Sequence, residues 1–289
     1  KLVGGKKLVQ AWLDGDWNAI EGAFFNEWDE QRHVVEPFVV PPDWLRFRSA
    51  DWGSASPFSI GWWTVAGDAL RTGAVDIPRG ALIRYREWYG CAAGQANTGI
   101  KLAAEAVGTG ITERERGETV SYGVLDPAAF AEDGGPSIAE RVNGRLKQGR
   151  FRAADNKRVS QRGALGGWDM MRARLAGDVT MVGEPRAVRE PGPGGASPAL
   201  AECERQPAPM LFVFSTCRDF IRTVPQLQHD MERPEDLDSS AEDHIADECR
   251  YACMSRPWLR AQAEPAQPAT ASGYRAAHTD AEPGDWKAY

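Results

Sequence analysis

Residues 44–68 read WLRFRSADWGSASPFSIGWWTVAGD, and this stretch decides the fold. In WLRFRSAD a period of two sets Leu45, Phe47, Ser49 and Asp51 on one face, which buries two large side chains and leaves a carboxylate at the strand's end. Gly53 to Pro57 supplies a turn, and FSIGWWTVAGD follows as a second strand. A third, ALIRYREWYG at 81–90, alternates Ile83, Tyr85 and Glu87 with Leu82, Arg84 and Arg86. Three successive strands with short connections predict an antiparallel meander.

Outward from this core the pattern alternates helix and strand. NTGIKLAAEAVGTGI predicts a helix ending near Gly108, and VSYGVLD a fourth strand with Tyr122, Val124 and Asp126 on one side. PSIAERVNGRLKQ predicts an amphipathic helix capped by Ser137, FRAADN a short strand, and QRGALGGWDMMRARLAG a helix weakened by its Gly pair. DVTMVGEPRAVREPGPGGASP reads as a hairpin or long loop, PMLFVFS as a buried strand, and CRDFIRTVPQLQ as a helix. Residues 1–36 form a lead-in whose helical spacing is broken by Gly15 and Gly22, residues 37–260 the main domain, and residues 261–289 an Ala- and Pro-rich tail without a periodic apolar face, expected to be disordered or loosely attached.

With 289 residues, 42% of them hydrophobic and 26% charged, the composition is that of one large globular domain with a sizeable core. No apolar run approaches the ~20 residues of a membrane span, and KLVGGKKLVQAWLDG has no secretory h-region, which points to a cytosolic protein. The five cysteines include no CxxC pair, so neither a zinc ribbon nor a disulfide framework is indicated, and Cys249 and Cys253 are expected on the buried side of a helix. A nucleotide-binding loop is not expected either: Gly5-Lys6-Lys7 lacks both the earlier Gly and the following Ser or Thr. The net charge of −7 conceals a basic stretch, in which ten Arg and Lys from Arg141 to Arg174 face only Asp155 and Asp169. Such a stretch suits a DNA-facing surface, with Lys157, Arg158 and Arg162 as phosphate contacts, though a solvated face explains a charge run equally simply. The compensating acid lies in ERPEDLDSSAEDHIADE, residues 232–248.

Three acids stand out. Asp51 and Asp126 each close a strand-like run, and Asp247 sits on a predicted helix, so one fold can bring three carboxylates together. Taken singly, Asp51 and Asp126 also suit turns, the latter before Pro127. Together they are what a pair of Mg²⁺ or Mn²⁺ ions needs: hard oxygen ligands holding two cations about 3.5–4 Å apart across a phosphodiester. Ser240 and Asp243 fit a capping box, which gives Asp243 a structural task, whereas His244 and Asp247, three apart, can approach one centre. His244 is a candidate for secondary ligation or proton transfer, against its alternative as a helix-surface histidine.

The order LDGDWNAIEGAFF, ADWG, LDPAAF, AADNKRVSQRG and DHIADECRYA, spanning about residues 8 to 258, resembles the C-terminal nuclease domain of tailed-phage terminase large subunits. That resemblance implies a ribonuclease H-like α/β fold with a mixed central sheet, and places the family's three metal-binding acids at Asp51, Asp126 and Asp247. His244 matches a histidine found in some members. It further implies a metal-dependent DNA endonuclease using two Mg²⁺ or Mn²⁺ ions. Its substrate would be double-stranded DNA, its partners the terminase small subunit and the capsid portal, and its place the bacterial host cytoplasm. An ATPase would precede the lead-in in the longer motor. Other readings use the same residues: a junction resolvase or transposase core, a non-catalytic DNA-gripping module, or an unrelated α/β domain whose acids never meet.

Overall fold

A computed structural model describes residues 22–132, 134–177 and 207–256. Helix α1 (Glu30–His33) leads into β1 (Val34–Val35), followed by β2 (Arg46–Asp51), β3 (Ser59–Val65), β4 (Leu70–Thr72), β5 (Val75–Ile77) and β6 (Leu82–Tyr89). Then come α2 (Ala104–Arg114), β7 (Gly123–Leu125), α3 (Ile138–Asn143), β8 (Phe151–Ala153), α4 (Gly167–Ala176), β9 (Leu211–Phe214), α5 (Arg218–Thr223) and α6 (His244–Ser255). Seven strands form one sheet in the order β1-β9-β6-β3-β2-β7-β8. The pairs β2/β3 and β3/β6 are antiparallel, the expected meander, and the other four pairs are parallel. No helix among the described residues is long and apolar enough to cross a membrane.

Several elements depart from the sequence reading. The link between the second and third meander strands is not short: the β4/β5 hairpin is inserted there, turning at Gly73 with φ +58°. Helix α2 does not end at Gly108 but runs through it, because the missing side chain lets the helix pack against the Val142 carbonyl and the Arg145 Cβ beyond α3. The Gly pair before Trp168 is not a flaw inside a helix but its start, with Gly166 as N-cap and Gly167 lying under the Arg250 side chain. Helix α3 is shorter than predicted, though Ser137 caps it in a full capping box with Glu140. Within the expected lead-in, Phe24, Phe25 and Val35 belong to the core, and Val34 and Val35 pair with Val213 and Phe214. The predicted loop over 178–198, the lead-in helix before residue 22 and the tail lie outside the described residues.

The meander is buried on both faces, and each face carries a buried ion pair. The alternation of β2 sends Arg48 to one side and Phe47, Ser49 and Asp51 to the other. Arg48 pairs with Glu115 at the end of α2, and the Trp62 indole donates to the same carboxylate at 2.8 Å. On the opposite face Glu248 of α6 pairs with Arg84 of β6, accepts from the Ser49 hydroxyl, and accepts from the Trp63 indole at 2.9 Å. Both members of this pair are fully buried. Gly61 of β3, the partner of Ser49 in the β2/β3 pair, makes the room, since a Cβ there would collide with the Arg84 guanidinium and the Glu248 carboxylate.

Burying two charges costs desolvation that their attraction roughly offsets, but removing one partner leaves the other uncompensated, at a cost of about 3–5 kcal/mol. Glu248→Leu is expected to destabilise the domain by about that much, and Arg84→Met likewise, whereas the double variant should lose markedly less than the sum of the two. Urea unfolding at pH 7 measures this; additive losses would mean that the pair is not the unit it looks to be.

Candidate functional site

The site gathers at the carboxyl ends of the parallel strands β2 and β7. Asp51 is the last residue of β2 and Asp126 the first after β7; the two strands pair through Ala50 and Leu125, and the Asp126 amide donates to the Ala50 carbonyl at 3.1 Å. Neighbouring strand ends thus set two carboxylates side by side. Asp126 also caps the short 3₁₀ turn Pro127–Phe130, its carboxylate accepting from the Ala128 amide at 3.2 Å.

Helix α6 brings the third group of residues, and its pitch fits the strand beneath it. Four helical residues advance about 6 Å, close to the roughly 6.8 Å between every second residue of a strand. His244 accordingly meets Asp51, with Nδ1 at 3.2 Å from Oδ2, and Glu248 meets Ser49, so the helix runs antiparallel to β2 above its Ser49–Asp51 face. The His244 Nε2 lies 2.9 Å from the Asn97 amide oxygen. Asp247 turns to two guanidiniums: Arg250 donates to it at 2.6 and 2.9 Å, and Arg158 at 3.2 Å. Arg158 further binds Asp236 at 2.9 Å and Ser239 at 3.1 Å.

Burial, reinforced by the charges of Asp247 and Asp126, pushes the Asp51 carboxyl up to about 7 despite the hydrogen bond from His244. Asp243, buried and facing Asp247, is pushed up to about 6. Burial alone would lower the His244 pKa, but the hydrogen bond and charge of Asp51, with Asp243 and Asp247, outweigh it and raise it. Tyr251, one turn beyond Asp247, is buried with its hydroxyl 3.5 Å from Asp126, and burial and then the charges of Asp51, Asp247 and Asp126 make that hydroxyl harder to ionise.

The three acids and His244 therefore share one end of the sheet. Of the cationic candidates, Lys157 and Arg162 are exposed, while Arg158 is drawn inward to the acids. Asp243 does not act as the capping box expected: it is the N-cap residue itself, in a helical conformation, and its side chain makes no capping bond, since the acidic loop ahead of it leads the helix in one turn late. Its carboxylate is instead part of the buried acid group. Asn97, Tyr251 and Asn156, whose amide oxygen accepts from Arg250 at 2.8 Å, were not singled out in the sequence. Tyr251 alone left a signal there, since i and i+4 share a helix face with Asp247.

These donors suit a hard divalent cation in kind: Asp51 and Asp126 carry carboxylate oxygens, and a cation would favour the ionised form that burial and then like charges disfavour at Asp51. The arrangement is an open one, for among the described residues no three His, Cys, Asp or Glu side chains close round a single point, and Asp247 is held by its arginines.

This sheet order, with a three-stranded meander beside a parallel pair that ends in acids, defines a ribonuclease H-like α/β fold. Neither a protein-family model nor a curated protein matches the chain. Solved structures do: the large terminase of a thermophilic bacteriophage superposes with TM-score 0.52 at 16% identity, covering 88% of this chain and 53% of that one. The P22 large terminase nuclease domain superposes at TM-score 0.47 and 13% identity over 83% of this chain and 95% of that one. The large terminase nuclease of thermophilic phage G20c, solved with bound cobalt, superposes at TM-score 0.40 and 9% identity over 81% and 98%. The first of these superpositions establishes the shared fold, and this chain spans about half the length of that large terminase. The resemblance read in the sequence and the likeness in structure lead to the same proteins, the large terminases.

The raised Asp51 carboxyl has a stability consequence. Its folded value of about 7 lies above the ordinary 3.8, so the folded state holds the proton more tightly; this group's contribution to stability is complete below about pH 4 and is gone once pH has risen through 7. In chelator-treated protein Asp51→Asn, which cannot ionise, should therefore gain stability relative to the parent at pH 8, by about 1–3 kcal/mol. At pH 3.5, below the ordinary value, the gain should all but vanish. Equal effects at both pH values in urea titrations would show that ionised Asp51 is not under strain.

Proposed function

We propose that this chain is the nuclease domain of a phage terminase large subunit: a metal-dependent DNA endonuclease that cuts concatemeric viral DNA during packaging. The observation that carries this reading is the meeting of Asp51, Asp126, Asp247 and His244 at one end of a ribonuclease H-like sheet. Asp51, Asp126 and Asp247 would hold two Mg²⁺ or Mn²⁺ ions. When bound, such ions acidify water and neutralise charge on a scissile phosphate and its leaving oxygen.

The chain's own residues do the rest. Asp51 keeps His244 turned into the site through Nδ1, where the imidazole can take or return a proton near neutral pH. Tyr251 and the desolvated surroundings keep water away from the acids on the sheet side, which strengthens every charge interaction there. Lys157 and Arg162, exposed on the segment between β8 and α4, serve as phosphate contacts that position the duplex without reading its sequence. Arg158 holds Asp247 rather than DNA. By the resemblance, the partners are double-stranded DNA, the terminase small subunit and the capsid portal, in the cytoplasm of the bacterial host.

One observation favours a second reading, a module that grips DNA without cutting it: the Asp247 charge is already balanced by Arg158 and Arg250. The two readings separate on cleavage. The protein should cut DNA with Mn²⁺ or Mg²⁺ and stop in excess chelator, and Asp51→Asn or Asp126→Asn should abolish cutting while DNA binding persists. Binding without cleavage in any divalent metal would leave the gripping module.

Neutralising Lys157 and Arg162 together should weaken duplex binding whatever its sequence. Each lost contact should flatten the slope of log affinity against log salt by about 0.9. An unchanged slope would return these residues to the solvated surface.

A further inference from the structure

Asn97 belongs to none of the acid-bearing segments, yet it completes the contacts of His244. It lies on the connection between β6 and α2, which folds back on itself: the Ala92 amide donates to the Thr98 carbonyl at 2.7 Å and the Ile100 amide to the Gly90 carbonyl at 3.0 Å. The same connection is fastened to the turn that follows Asp51, where the Gly99 amide donates to the Ala55 carbonyl at 2.7 Å. Gly99 approaches so closely that a Cβ there would meet the Ser54 and Ser56 carbonyl oxygens. The loop carrying Asn97 and the strand end carrying Asp51 are therefore one unit.

At its tip Asn97 adopts φ +55°, the left-handed region that only Gly, Asn and Asp enter readily. That conformation presents the amide oxygen to the His244 Nε2 at 2.9 Å, while Nδ1 of the same ring lies 3.2 Å from Asp51. An acceptor at Nε2 fixes a proton on that nitrogen and fixes the ring plane, so the other nitrogen must face the carboxylate. Among the described contacts Asp51 holds the ring from the Nδ1 side, where Asp243 also lies 3.9 Å away, and Asn97 holds it from the other.

We propose that Asn97 is a positioning residue for His244, holding the imidazole by Nε2 so that Nδ1 stays on Asp51. Its place in catalysis rests on the nuclease reading; its effect on the ring does not. The two are tested by separate measurements, using Asn97→Gly, which keeps the left-handed backbone and removes the amide, and Asn97→Asp, which keeps both backbone and acceptor oxygen.

The first measurement is the ¹⁵N resonances of the His244 ring in metal-free protein. The parent and Asn97→Asp should show a held proton on each nitrogen, Nδ1 on Asp51 and Nε2 on residue 97, and Asn97→Gly an Nε2 proton lost to exchange with water. The second is Mn²⁺-dependent DNA cleavage, where Asn97→Gly should lower kcat by about 10–100-fold with KM unchanged, and Asn97→Asp should restore most of the loss. Unchanged ring resonances in Asn97→Gly, or an Asn97→Asp protein whose Nε2 proton exchanges as the Gly variant's does, overturn the proposal. A parent protein that binds Mn²⁺ and cuts no DNA overturns the nuclease reading instead, and the ring resonances still decide the role of Asn97.

Discussion

The buried pairing of Glu248 with Arg84 is the constraint on which the site depends. A carboxylate inside the domain must find its partners or cost several kcal/mol, and the Glu248 carboxylate finds them only where Arg84, Ser49 and Trp63 meet over Gly61. Apolar contacts would let a helix slide or rotate by part of a turn at modest cost. The ion pair allows one register. Once Glu248 is fixed, His244 one turn earlier falls over Asp51, and Asp247 falls beside Arg158 and Arg250.

A second principle governs the acids themselves. They lie half-buried, and their treatment is uneven. Asp247 has two arginines, one of them almost wholly buried, stacked with Arg158 against the Trp168 ring. Asp51 is desolvated by burial and has two like-charged neighbours, which together favour its protonated form although His244 opposes them. The site thus sets Asp247, balanced by two arginines, near Asp51, whose ionised form burial and like charges disfavour.

How much of this the sequence discloses depends on how local the cause is. The meander was legible because alternation over WLRFRSAD and its neighbours is a property of a few consecutive residues. Asp51 and Asp126 were legible as strand-closing acids, and Ser137 as a cap with Glu140 three residues on. Gly108 read as a helix end because glycine disfavours helices on its own, whereas the Val142 backbone 34 positions away is what requires it. Asp243 matched a capping pattern, but the acidic loop brings the helix in later than the pattern assumes. Asn97 and Tyr251 owe their places to partners 147 and 125 residues distant, and no local pattern records such a meeting.

The helix that completes the site is also the last of the described elements along the chain, and its partners are remote: Glu248 is 164 residues from Arg84 and 199 from Ser49. Contacts of such long span form late, since the loop must close before any of them can contribute. During synthesis, strands β2, β3, β6 and β7 emerge first, with Asp51 and Asp126 still hydrated. Only when α6 docks are they closed off from water and set against His244 and Asp247. Assembly order thus keeps this arrangement of acids and histidine from existing before the fold is nearly complete, and a chain halted before residue 244 carries the strand-end acids without the environment that gives them their character.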